Sequence, residues 1–98
     1  MKESTLQRKV IACLRDSGAY VFKVVGSAMQ QRGTPDLLCC FLGRLVAIEL
    51  KVPGKVPTKL QEVELRKIRN SGGVAVVITD MDQLEQLLTA LRHREEAS

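Results

Sequence analysis

Asp36-Leu37-Leu38-Cys39-Cys40-Phe41-Leu42-Gly43-Arg44-Leu45-Val46-Ala47-Ile48-Glu49-Leu50-Lys51-Val52 is a pair of mostly apolar runs interrupted once, at Gly43-Arg44. A two-residue break opening on glycine has the length and first position of a type II′ hairpin turn, so residues 36–42 and 45–52 are expected to be paired antiparallel strands. Glu49 and Lys51 stand inside the second run, where ionised groups are costly unless paired or bound to metal. Being two apart, they project from one face, with Val46, Ile48 and Leu50 on the other. With Gly43 and Arg44 as the turn, Leu42 lies opposite Leu45, Leu38 opposite Glu49 and Asp36 opposite Lys51. Asp36 and Glu49 are then diagonal neighbours on one face, with Cβ atoms on the order of 6 to 8 Å apart. Two carboxylates so placed can share a divalent cation. Mg²⁺ and Mn²⁺ prefer oxygen ligands and keep several waters, so a carboxylate pair with a backbone carbonyl suffices.

On the N-terminal side, Leu6, Val10, Cys13 and Leu14 follow helical spacing within Glu3 to Ser17, and Gly18 supplies a stop. Ala19 to Val25 reads as a strand, and the polar, glycine-bearing stretch 26–34 as a loop. Beyond the hairpin, Val52 to Pro57 is a loop, and Thr58 with Gln61 forms a capping-box pattern opening a helix to about Asn70. Ser71-Gly72-Gly73 ends it. Gly73 to Thr79 is a Val/Ile run suited to a strand covered on both faces, and Asp80 with Gln83 opens a last helix carrying Leu84, Leu87, Leu88 and Leu91. The tail from Arg94 is expected to fray. The order αβββαβα, with a helix crossing between the third and fourth strands, predicts a single α/β domain over 1–98: a mixed four-stranded sheet flanked by helices. Tyr20, Phe22 and Phe41 fall on strands and are expected inside the core.

The chain has 98 residues, 45% hydrophobic and 27% charged, too apolar for a disordered segment. No apolar run reaches the ~18 to 20 residues of a membrane span, and Met1 to Thr5 lacks the apolar core of a secretion signal, so a cytoplasmic location is expected and a membrane partner is not. Cys13, Cys39 and Cys40 are an odd count in apolar stretches without C-x-x-C spacing, which reads as reduced core thiols; Cys39 and Cys40 would point to opposite faces of a strand, against a shared zinc. The net charge of +4 is unevenly spread: residues 1–59 carry ten Lys or Arg against four acids, +6, and residues 60–98 five against seven, −2. That asymmetry fits a side facing a polyanion, although a solvated basic surface would look the same.

Phosphodiester hydrolysis needs an activated water, neutralisation of charge on the phosphorus centre and help for the leaving alkoxide. A metal on Asp36 and Glu49 would lower the pKa of its bound water, and Lys51 beside it would position that water and offset charge. Glu3, three residues before Leu6 and seven before Val10, is expected to face the sheet and join them. Simpler roles exist for each: Glu3 as an acid on a helix dipole, Gln61 as a helix cap, Asp36 and Glu49 as a structural ion cluster with Lys51.

Gly33-Thr34-Pro35-Asp36, twelve intervening residues and Glu49-Leu50-Lys51 resemble the PD-(D/E)xK nuclease signature in its ExK form. The flanks, Glu3 on the first helix, Lys23 ending a V-F-K-V strand, Arg32-Gly33-x-Pro35-Asp36, Ala47-Ile48-Glu49-x-Lys51, Thr58-x-x-Gln61 and Gly72-Gly73-Val74-Ala75-Val76-Val77, look like a stand-alone VRR-NUC domain over nearly the whole chain. The resemblance implies a restriction-endonuclease-like core and metal ligation by Asp36, Glu49 and the Leu50 carbonyl. It further implies a direct or water-linked role for Glu3, catalytic Lys51 and a supporting Gln61. The implied cofactor is Mg²⁺ or Mn²⁺, with no organic cofactor. Small phage-type members resemble Holliday-junction resolvases that act as homodimers, and a two-fold dimer would set two metal sites against two related phosphates of a branched junction. Lys23, Arg32, Lys55 and Lys59 are the expected DNA contacts, made to phosphate rather than to bases. A non-catalytic nucleic-acid-binding module, a flap or nonspecific nuclease, and a scaffold subunit are the alternatives.

Overall fold

The computed structural model describes residues 1–25 and 32–97. Seven elements follow in the expected order: α1 (Glu3–Asp16), β1 (Tyr20–Lys23), β2 (Leu37–Phe41), β3 (Arg44–Leu50), α2 (Lys59–Asn70), β4 (Val74–Ile78) and α3 (Met81–Ala97). Of the expected loop 26–34, residues 26–31 lie outside the described residues. α3 continues to Ala97, so the end expected to fray from Arg94 is helical. At its start, the Asp80 carboxylate accepts the Gln83 N–H at 2.9 Å, while the Gln83 side-chain carbonyl accepts the Thr79 N–H at 2.6 Å.

The sheet order is β1-β2-β3-β4, with β1/β2 and β2/β3 antiparallel and β3/β4 parallel. A parallel neighbour requires a crossover, and α2 supplies it. The hairpin departs from expectation. Phe41 pairs with Arg44, so Leu42 and Gly43, not Gly43 and Arg44, are the turn residues. Both have positive φ, 53° and 78°, the signature of a type I′ turn, whose twist matches the flanking strands. The pairing therefore slips by two residues. Leu38 faces Ala47, not Glu49, and Cys40 faces Leu45.

Each sheet face has its own core. α1 and α3 cover one face, where Leu6, Val10 and Leu14 pack with Leu37, Cys39, Phe41, Ile48, Leu50, Leu84, Leu88 and Leu91. At about 1.5 to 3 kcal/mol per fully buried aliphatic side chain, this layer supplies most of the hydrophobic stabilisation. α2 covers the other face through a smaller cluster of Leu65 on Ala47 and Ala75, neighbours across β3 and β4 whose short side chains let the helix lie close.

Because α2 lies over β3 and β4, the β1–β2 half of that face is open. Tyr20 is 76% exposed and Phe22 56%, contrary to the core positions expected for them; only Phe41 of the three aromatics is buried. Cys40 shares this open face and is exposed, whereas Cys39, on the other face, is buried and its thiol is pushed up to about 11 by desolvation. β4 is an edge strand, and the Arg69 Nε donates to its Ala75 carbonyl at 2.9 Å. Among the described residues no helix is long and apolar enough to cross a membrane.

Candidate active site

The corrected register brings the two acids closer than the sequence suggests. Leu37 pairs with Ile48, and one further step sets Asp36 across from Glu49. The Asp36 Oδ2 accepts the Leu50 N–H at 2.8 Å, which fixes the carboxylate against the end of β3. The Lys51 N–H points the opposite way, to the Ile78 carbonyl at 3.1 Å. A trans peptide sets C=O and N–H on opposite sides, so the Leu50 carbonyl is directed to the Asp36 side of the strand.

Glu49 is 2% exposed, the one acid in the core among the described residues. Its Oε2 accepts from the Gln61 Nε2 at 3.1 Å and lies 3.5 Å from the Lys51 Nζ. Its Oε1 is buried and has no donor. Burial first, then the neighbouring Asp36 carboxylate, push the Glu49 carboxyl up to about 7, against the opposing pull of Lys51. Two facing carboxylates are two acceptors. A shared proton or a cation between them would relieve their repulsion and satisfy the Glu49 Oε1 that no donor reaches.

Gln61 holds its place by the same side chain that reaches Glu49. Its Oε1 accepts the Thr58 N–H at 2.9 Å while the Thr58 Oγ1 accepts the Gln61 N–H at 3.2 Å, a complete capping box. The cap and the site contact, alternatives in the sequence, coexist. Gly33 is a positioning residue that the sequence marked only as part of a motif. It has φ +83°, and a Cβ there would stand 2.6 Å from the Leu60 carbonyl oxygen, so the turn leading to Asp36 rests directly on the first turn of α2.

Asp36, Glu49, Lys51 and Gln61 thus converge. Glu3 does not join them: it is exposed in the first turn of α1, and the inward stripe of that helix begins only at Leu6. Among the described residues no cluster of three His, Cys, Asp or Glu side chains forms, so the carboxylates brought together are Asp36 and Glu49. Lys23, Arg32, Lys55 and Lys59 are all exposed, Lys23 at the end of β1 and Lys59 at the start of α2. The site fits a hard divalent cation, because a buried carboxylate oxygen without a donor, a facing carboxylate and a backbone carbonyl are oxygen donors of the required kind.

Comparison with known proteins gives the family and the fold. The family model for archaeal Holliday junction resolvases (Hjc) matches residues 1–97. The "Putative nuclease p44" of Acyrthosiphon pisum secondary endosymbiont phage 1 is 27% identical over 92 residues, covering 93% of this chain and 96% of that protein. A solved structure described as a VRR_NUC domain superposes with a TM-score of 0.77 at 25% identity, covering 89% of this chain and 94% of the other. The Hjc resolvase of Archaeoglobus fulgidus shares the fold, with a TM-score of 0.63 at 20% identity over 79% of this chain and 67% of that one.

Proposed function

Because this chain belongs to the archaeal Holliday junction resolvase family, we propose that it is a Mg²⁺- or Mn²⁺-dependent endodeoxyribonuclease that nicks branched DNA, four-way junctions foremost, as a cytoplasmic homodimer. One observation carries the chemistry: two carboxylates face each other at the end of a strand pair, one of them buried with an oxygen that no donor reaches.

Asp36, Glu49 and the Leu50 carbonyl would hold the cation. When bound, a divalent cation supplies a water of lowered pKa and a positive charge against a phosphate oxygen. Lys51, its side chain 17% exposed and beside Glu49, orients the attacking water and offsets the charge that develops on the phosphorus oxygens. Gln61 fixes the Glu49 rotamer through Oε2, leaving Oε1 for the metal. Glu3, at the exposed start of α1, would act only through water. Lys23, Arg32, Lys55 and Lys59 would contact phosphates.

The homodimer is supported by the open β1–β2 face, where Tyr20, Phe22 and Leu45 are exposed together. Tyr20 and Phe22 pair with Cys40 and Leu38, and Cys40 in turn with Leu45, so the patch is continuous across three strands. A second copy meeting it about a two-fold axis would bury it and set two cutting sites in a fixed relation.

The test is cleavage of a fixed four-way junction beside a linear duplex of the same arms, with Mg²⁺ or Mn²⁺. Paired nicks near the branch point are expected from the wild type, with Asp36→Ala and Lys51→Ala reduced by about 10² or more. Full activity in either variant, or wild-type protein that binds the junction without nicking it under any divalent ion, would reject the proposal.

A further inference from the structure

On the sheet face opposite the acids, a groove of about 490 Å³ runs between the outer side of α1 and the end of β1, lined by Ser4, Gln7, Arg8, Ala12, Arg15 and Lys23 among others. Among the described residues no acid lines it, and Arg8, Arg15 and Lys23 pair with no carboxylate. Ser4, Arg8 and Arg15 fall on one stripe of the helix, at intervals of four and seven residues, with Ala12 leaving room between the two guanidinium groups. Three unneutralised cations converging on one trough repel one another, an arrangement that a polyanion relieves.

The groove starts at the catalytic end of the sheet. α1 leads through a tight turn into β1, the Ala19 N–H bonding back to the Leu14 carbonyl, so helix and strand run antiparallel. The end of β1 therefore lies beside the first turns of α1. The Val24 N–H donates to the Asp36 carbonyl at 2.9 Å, tying that end to the acid pair. Val21 packs into the α1 core, so Lys23, two residues on, projects to the same side.

We propose that this groove is a phosphate track: it holds the backbone of the DNA arm that leaves the catalytic end, passing over the edge of the sheet and along α1. This rests on the nuclease reading above. Arg8 and Arg15 stand seven residues apart, about 10 Å along the helix, or roughly three phosphates at the axial rise of one strand. Among the described residues no aromatic side chain lines the groove to stack a base, so contact is to charge and spacing and not to sequence. The open face of Tyr20 and Phe22 lies on the other side of the sheet, and a partner seated there leaves the track free.

The test uses the full chain and a fluorescent fixed four-way junction, with binding measured without divalent ions across a salt series and cleavage under single turnover at saturating protein. Arg8→Ala with Arg15→Ala should lower the slope of log K against log salt by about two and weaken binding about tenfold or more. The saturated cleavage rate should stay within about twofold of wild type, and Arg8→Lys with Arg15→Lys should restore the slope, which a merely structural role would not do. Should the double alanine variant fold poorly, Arg15→Gln alone should lower the slope by about one. An unchanged slope and affinity in a protein whose wild type cuts junctions would overturn the track and leave the nuclease standing. Wild type that neither binds nor cuts DNA would overturn both.

Discussion

The Gln61 side-chain amide and the Glu49 carboxylate are joined by a 3.1 Å hydrogen bond, and the other end of the same amide closes the cap of α2. Helix start and acid orientation are one unit. Gln61→Ala removes both and should lower stability by about 1 to 2 kcal/mol, a fall in Tm of about 4 to 16 °C for a domain of this size. Gln61→Glu keeps the cap acceptor but sets a third carboxylate against Glu49. It should melt lower than wild type without metal and recover more on adding Mn²⁺. Equal Mn²⁺-induced shifts in both proteins would contradict the coupling.

Burial and Asp36 hold the Glu49 carboxyl near 7, above its ordinary 4.5. The folded state then binds this proton more tightly than the unfolded state, so its contribution is fully present below about 4.5 and is lost as pH rises through about 7. Metal-free protein should lose up to about 3 kcal/mol across that window. Glu49→Gln should flatten the change, and Mn²⁺, which competes with the proton, should offset it in wild type only. Thermal melts at pH 5 and pH 8 check this; a wild-type profile parallel to that of Glu49→Gln would refute it.

Gly33→Ala should be more damaging than the exposure of Arg32 beside it suggests, because the added methyl would meet the Leu60 carbonyl oxygen at 2.6 Å in a left-handed backbone. Relief requires the first turn of α2 to shift, carrying Gln61 away from Glu49. The expected cost is about 1 to 3 kcal/mol, with junction cleavage falling further than helix content measured by circular dichroism.

Leu42 occupies a left-handed position, φ 53°, followed by Gly43 at 78°. Asn is far more at ease there, and Asn-Gly is the favoured type I′ pair. Leu42→Asn should raise stability by about 0.5 to 1 kcal/mol with cleavage unchanged. A lower Tm would refute this, the leucine's own packing then outweighing the backbone strain.

Tyr20→Glu with Phe22→Glu should convert the protein from dimer to monomer by light scattering. It should also uncouple the paired nicks, so that single-strand cuts accumulate. A variant that stays dimeric would place the interface elsewhere.

The order and type of every element were legible because apolar periodicity is a local property, and the shared face of Asp36 and Glu49 was legible because strand alternation fixes it. The register was not, since a two-residue turn can be centred on Leu42-Gly43 or on Gly43-Arg44. That slip moves the partner by two and preserves the face, so the acids became directly opposed where a diagonal was expected. The exposure of Tyr20 and Phe22 depends on α2 lying over β3 and β4 alone, a lateral placement that no pattern within β1 encodes. Glu3 misled for a related reason: helical spacing assigns a side to a residue but not whether the neighbouring layer extends that far.

Arg69, by occupying a carbonyl of the outermost strand, makes that rim a poor template for strand addition. A strand adding along this edge would first have to displace that guanidinium, a cost that bare edges lack. Of the two sheet edges, the one formed by β4 is therefore the less ready to recruit a strand from another copy.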